Sequence, residues 1–154
     1  MNIPIRIAAV VAVQLALVGV AVAPQLSARA TGDEYLFRVA PVDPVDPFRG
    51  AYVALDYPDV YPAGEDHGDG TVFVTLVEKD GLWVRDAYTT TRPADGPYLA
   101  CDDHGWQLRC GIESWFLPQD EAATFQQWVA DDEAVARVRI DARGHAALVA
   151  VEHR

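Results

Sequence analysis

Thr71-Val72-Phe73-Val74-Thr75-Leu76-Val77-Glu78-Lys79-Asp80-Gly81-Leu82-Trp83-Val84-Arg85-Asp86-Ala87-Tyr88 is the stretch from which the fold is read. Residues 71–77, rich in β-branched and aromatic side chains, predict a strand. The Asp80-Gly81 pair predicts a type I′ turn, whose two central residues both need φ > 0. Residues 82–88 then return as the partner strand. A two-residue hairpin imposes antiparallel pairing, so the chain is expected to be mainly antiparallel sheet.

Downstream, residues 89–97 read as a loop, followed by short strands at 98–103 and 106–113, the second running on towards Phe116. After Pro118, residues 119–130 have helical character: Asp120 and Glu121 suit a first turn, and Phe125, Trp128 and Val129 share a face. Residues 134–140 and 145–151 predict a terminal hairpin around Asp141-Ala142-Arg143-Gly144, with Asp first and Gly fourth as type I turns prefer. Upstream, 35–39 is expected to be the first strand. Pro41, Pro44 and Pro47 then make a rigid extended connector, because proline has a fixed φ and no N–H to donate. Residues 52–57 read as a strand and 58–70 as a long acidic loop. The fold class expected is α+β: a mainly antiparallel sheet with one short helix, preceded by an apolar helix. Residues 31–154 form a single domain in this reading and 1–30 a membrane segment.

The membrane segment rests on residues 7–23, seventeen residues of which only Gln14 is polar. As a helix they span roughly 25 Å, and extension from Ile3 or to Leu26 would match a hydrocarbon core of about 30 Å. Two readings compete. A signal anchor is favoured by the apolar length. A cleaved signal peptide is the alternative, with Ala28-Arg29-Ala30 as a small-residue site cut before Thr31. No Cys follows the apolar run, so a lipoprotein is excluded. Arg6 precedes the span and no acidic residue does, which predicts a cytoplasmic N-terminus and an extracytoplasmic domain.

That domain is acidic. From Thr31 onward, 23 acidic side chains face 10 basic ones, Arg6 and Arg29 lying before it, for a formal charge of −13. Such a surface repels phosphate backbones, and nucleic acid is not expected as a partner.

Cys101 and Cys110 enclose eight residues, an even number that fits opposed hairpin positions about a Gly105-Trp106 turn, with Asp102 opposite Arg109. In an oxidising compartment they are expected to form a disulfide worth roughly 2.5–3 kcal/mol. The competing metal site, from Cys101, Asp102 or Asp103, His104 and Cys110, lacks any zinc-ligand spacing. The Gly64-Glu65-Asp66-His67-Gly68-Asp69-Gly70 run has oxygen ligands in number but lacks the EF-hand spacing, and is expected to be a solvated loop. His67, His104, His145 and His153 are expected to face solvent. No metal and no cofactor is expected.

Two further segments carry a resemblance. Pro41-Val42-Asp43-Pro44-Val45-Asp46-Pro47 runs into Phe48-Arg49-Gly50-Ala51-Tyr52-Val53-Ala54-Leu55-Asp56-Tyr57, and Cys110-Gly111-Ile112-Glu113-Ser114-Trp115-Phe116-Leu117-Pro118 follows later. Together they resemble a bacterial family named for its motif, the GDYXXLXY proteins. Gly50, Tyr52, Leu55 and Tyr57 match the name, whereas Ala51 stands where its Asp belongs. Asp43, Pro44, Asp46, Arg49, Gly111, Ile112, Glu113 and Phe116 complete the likeness. By strand parity Tyr52 faces away from Leu55 and Tyr57, so the motif serves two faces and reads as packing. Ala51 strengthens that reading, since a reactive carboxylate could not become a methyl group without loss of chemistry. Arg49 could pair with Asp46 or Glu113 to tie connector to sheet.

The resemblance names no reaction. It implies a membrane-anchored module beside a polytopic membrane protein, and no catalytic residue is assigned. The alternative is an exported envelope hydrolase using Asp/Glu acid–base chemistry, in which Glu113 would take part. A weaker third reading is a ligand or metal binder acting through the acidic loop.

Overall fold

The computed structural model describes residues 3–41, 52–61, 69–104, 108–116, 128 and 134–154. A long helix, α1 (Ile3–Thr31), comes first. Ten strands follow among the described residues: β1 (Asp33–Arg38), β2 (Ala40–Pro41), β3 (Tyr52–Asp56), β4 (Asp69–Lys79), β5 (Leu82–Thr89), β6 (Tyr98–His104), β7 (Leu108–Arg109), β8 (Ser114–Phe116), β9 (Ala134–Ile140) and β10 (Ala146–His153). They form three antiparallel sheets, ordered β1-β9-β10, β2-β3-β8 and β5-β4-β6-β7. The expected class, an apolar helix ahead of mainly antiparallel sheet, is what is found.

Local chemistry explains the hairpins. Asp80 at φ 53° and Gly81 at φ 80° make the I′ turn that joins β4 to β5. Along β4, Val72, Val74 and Leu76 are buried while Phe73, Thr75 and Val77 are not, the period-two pattern of a half-buried strand. Gly144 donates its N–H to the Asp141 carbonyl at 2.9 Å, closing the type I turn between β9 and β10. Phe37, Val39, Leu55, Tyr57, Val74, Leu99, Ile112 and Val138 belong to one hydrophobic cluster that draws on all three sheets.

Three differences from the sequence reading have physical causes. The strand expected over 106–113 is only Leu108–Arg109, after which the chain turns and rejoins a different sheet as β8. Gly111 sits there at φ 83°, and the Glu113 carboxylate accepts the N–H groups of Cys110 and Gly111, so those donors leave the ladder. Residues 58–61, expected to be loop, make a tight turn in which the N–H groups of Val60 and Tyr61 both donate to Tyr57, and Val60 and Tyr61 are buried. His145, expected to face solvent, is half-buried and its Nδ1 lies 3.1 Å from Asp141; His153 is exposed as expected, at the end of β10 with its ring edge-on to Trp128. Of the helix expected over 119–130 only Trp128 is described, in helical conformation; the rest of that segment lies outside the described residues. So do the proline connector beyond Pro41, the Gly105-Trp106 turn and most of the acidic loop.

α1 runs 29 residues, about 43 Å at 1.5 Å per residue. Its mean hydropathy reaches 2.4 and its apolar side chains are open, Leu15 and Val20 for example at 67% and 74% exposure. By length and composition it can cross a membrane, and it is compatible with a membrane anchor.

Candidate functional site

The two family-like segments meet in the core. β3 pairs with β8 in the register Tyr52↔Phe116, Val53↔Trp115 and Ala54↔Ser114. The Leu55 N–H donates to the Glu113 carbonyl at 2.9 Å. Leu55 and Tyr57 lie on one side of the strand, at 2% and 0% exposure, against Ile112 at 1%. The Tyr57 hydroxyl donates to the Ile112 carbonyl at 2.7 Å. Its ring stands edge-on to Phe37 at 6.1 Å and tilted against Tyr61 at 5.3 Å. Tyr61 donates from its hydroxyl to Glu113 Oε1 at 3.3 Å.

Glu113 is thereby engaged at both oxygens. Oε1 accepts from Cys110 N–H, Gly111 N–H and Tyr61, and Oε2 lies 3.1 Å from the Gly111 N–H. Burial, and then the neighbouring Glu113 charge, push both the Tyr57 and Tyr61 phenols well above the ordinary tyrosine range. Both therefore stay protonated donors at physiological pH. Tyr61 was invisible to sequence reasoning because its partner is 52 residues away.

Of the other residues singled out in the sequence, Asp43, Pro44, Asp46, Arg49 and Gly50 lie outside the described residues, and with them any Arg49 ion pair. Phe116 is 75% exposed. Cys101 and Cys110 have their sulfurs 2.00 Å apart, with Asp102 paired to Arg109 in the adjacent register. Where an Arg–carboxylate tie is seen at this end of the molecule it joins Arg38 to Asp59, Nε to Oδ2 at 2.7 Å and Nη2 to Oδ1 at 2.9 Å. The Arg38 hydrogen bond and charge hold the Asp59 carboxyl below its usual range. Among the described residues no group of three His, Cys, Asp or Glu side chains is placed to hold a metal ion.

A second constellation lies where α1 meets the sheets. The last turns of the helix do not stand off from the domain. Ala28 is fully buried, Gln25 Nε2 donates to the Gly111 carbonyl at 3.1 Å, and Arg29 donates to the Leu148 carbonyl at 3.1 Å. Ser27 donates from its hydroxyl to Asp141 Oδ2. From β9, the Arg139 guanidinium donates to the carbonyls of Arg29 and Gly32, placing a cation at the negative end of the helix dipole. Gly32 is packed so closely that a Cβ would lie 2.5 Å from the Ala28 carbonyl oxygen and 2.8 Å from Ile140 backbone atoms.

Asp141 organises this junction. It is 7% exposed and accepts from Ser27, from the N–H groups of Arg143 and His145, and from the His145 ring in the tautomer that carries a proton on Nδ1. Burial alone would raise its pKa, but these hydrogen bonds outweigh burial and hold the carboxyl below its usual range. A carboxylate whose pKa is lower folded than unfolded stabilises fully above the unfolded value and loses that contribution as pH falls through the folded one. Denaturant unfolding of the detergent-solubilised protein should therefore show stability falling below about pH 4. Asp141→Asn should cost about 1–3 kcal/mol at neutral pH and flatten the acid loss. An unchanged acid profile in that variant would assign the loss elsewhere, Asp59 being the first alternative.

Neither a curated protein nor a solved structure matches the chain significantly. A family model described as "GDYXXLXY protein" matches residues 14–151, from within α1 to within β10. The match takes in the segment of β3 that carries Leu55, the Tyr57 that closes onto Ile112 and the helix end that docks on Asp141, and the chain belongs to the GDYXXLXY family.

Proposed function

We propose that this chain is an uncleaved, single-pass membrane protein whose domain, residues 31–154, lies outside the cytoplasm as a binding or assembly module for a polytopic membrane protein. The observation that carries the reading is the continuity of α1 with the sheets. An anchor that only tethers needs a flexible linker, whereas here Gln25, Ser27 and Arg29 bond residues 86 to 119 positions away. A helix so joined acts as a strut that holds the domain at a set height and orientation over the bilayer. That is useful to a protein that must present a surface to a membrane-embedded partner.

The same contacts favour the anchor over the cleaved leader. A cut before Thr31 would fall in the docked helix, one residue after Arg29, and would strip the domain of Ser27, Ala28 and Arg29 together. Arg6 ahead of the span, with no acid before it, supports a cytoplasmic N-terminus. The Cys101–Cys110 pair supports an oxidising compartment for the domain. The motif, in this reading, is structural: Leu55 and Tyr57 seat β3 on the Gly111-Ile112-Glu113 turn. A hydrolase using Glu113 would need its oxygens free for a substrate, and they already accept from Cys110, Gly111 and Tyr61.

The test combines two readings on one preparation. Intact-mass measurement of the protein recovered from membranes should give the full chain; a species beginning at Thr31 would remove the anchor. A photoreactive residue in place of Val13 should crosslink reproducibly to an integral membrane protein, and its failure to do so would remove the module.

A further inference from the structure

Phe116 is the most exposed large apolar side chain among the described residues, at 75%. Outside α1, Val77, at 37%, is the other such side chain among the described residues. Its position gives the exposure meaning. Phe116, Trp115 and Ser114 of β8 line one side of a cleft of about 300 Å³, and Gln25 and Arg29 of α1 line the other. β8 is thus level with residues 25–29 of the helix. The twenty residues 4–23 measure about 30 Å as a helix, the thickness of the hydrocarbon core. Residues 25–29 then fall in the headgroup layer, roughly 5–7 Å deep on each side, and β8 falls there with them.

We infer that the β8 edge, with Phe116 at its tip, rests on the surface of the bilayer that α1 crosses, giving the domain a second membrane contact. This rests on the anchor reading above. Aromatic side chains at headgroup depth are the usual interfacial anchors, their rings taking the apolar boundary and leaving polar edges to the headgroups. The Trp115 ring is packed against the core with its indole N–H buried, so the exposed Phe116 ring carries the contact. The charge pattern agrees. Although residues 31–154 carry −13 overall, the described residues lining the cleft between β8 and α1 include no carboxylate and one cation, Arg29. With helix and strand both engaged, the domain cannot swing about α1, and the surface it offers a partner has one orientation.

Site-specific quenching in lipid tests this. The full-length protein carries Leu17→Cys, Lys79→Cys or Phe116→Cys, one at a time, with the native cysteine pair kept oxidised. Each is labelled with an environment-sensitive fluorophore and reconstituted in phosphatidylcholine nanodiscs containing headgroup-proximal spin-labelled lipid or a deep-chain analogue. Lys79 is the distant control. It adjoins the β4–β5 turn, where the Asp80 carbonyl accepts from Arg154, six residues and roughly 20 Å along β10 from Leu148. The expected result is deep quenching at 17, shallow quenching of at least about twofold at 116, as befits a ring 5–10 Å into the boundary, and none at 79. Quenching at 17 with none at 116 overturns the second contact and leaves the anchor standing. No quenching at 17 removes the anchor and this inference together. Equal quenching at 79 and 116 means the domain lies on lipid without the stated orientation, and also overturns it.

Discussion

Tyr57→Ala is expected to lower the stability of the domain by about 3–5 kcal/mol, the cost of removing a large buried aromatic side chain. The magnitude follows from where the ring sits. It is fully buried between Phe37 and Tyr61, and its hydroxyl supplies the Ile112 carbonyl at 2.7 Å. Truncation leaves a cavity between sheets and strips a buried acceptor of its donor at once. Tyr57→Phe separates the two contributions: it keeps the packing, loses only the hydroxyl, and should cost about 1–2 kcal/mol. Denaturant unfolding followed by tryptophan fluorescence checks both. If Tyr57→Ala unfolds at the wild-type midpoint, the motif is not what joins β3 to the Gly111-Ile112-Glu113 turn, and its role must be sought outside the core.

Gly32→Ala should cost at least about 3 kcal/mol, the upper end of what overpacking usually costs. Crowding by a flexible side chain can be relieved by a rotamer change. Here the added methyl would meet the Ala28 carbonyl oxygen at 2.5 Å and the Ile140 backbone at 2.8 Å, and backbone cannot step aside without moving α1 or β9. The strain should be released by undocking the helix. Amides of residues 25–32 should then lose hydrogen-exchange protection while β9 and β10 keep theirs. Uniform protection, as in the unsubstituted protein, would mean that the junction yields more easily than its geometry implies, and would weaken the strut reading with it.

Legibility followed the range of the interactions. Asp80-Gly81 and Asp141-Ala142-Arg143-Gly144 specify turns within four residues, so both hairpins could be read directly. The eight-residue spacing of Cys101 and Cys110 carried its register with it, and Asp102 does face Arg109. The strand expected through 106–113 failed for the opposite reason. Its residues have ordinary strand propensity, but the Glu113 carboxylate and the positive φ of Gly111 turn the chain out of one sheet and into another. Tyr61 read as loop because burial decides its role, and its polar partner is contributed by a turn 52 residues later.

The candidate sites divide in the same way. Leu55, Tyr57, Ile112 and Glu113 were all picked out as family positions, yet nothing in their spacing says that a phenol of one segment closes on a carbonyl of the other. At the helix junction even the participants were hidden. Ser27, Gln25, Gly32 and Arg139 are unremarkable in sequence, and Asp141 was read only as a turn residue.

The sequence by itself determined the apolar helix, the antiparallel class, the hairpin turns and the acidic character of residues 31–154, because helix length, turn chemistry and charge are summed over neighbouring residues. Only the tertiary structure decided that the helix runs unbroken to Thr31 and locks onto β9 and β10, and that β3 seats on the turn before β8. Those outcomes depend on burying carbonyls and carboxylates opposite donors up to 119 residues away, and no local pattern encodes such a pairing.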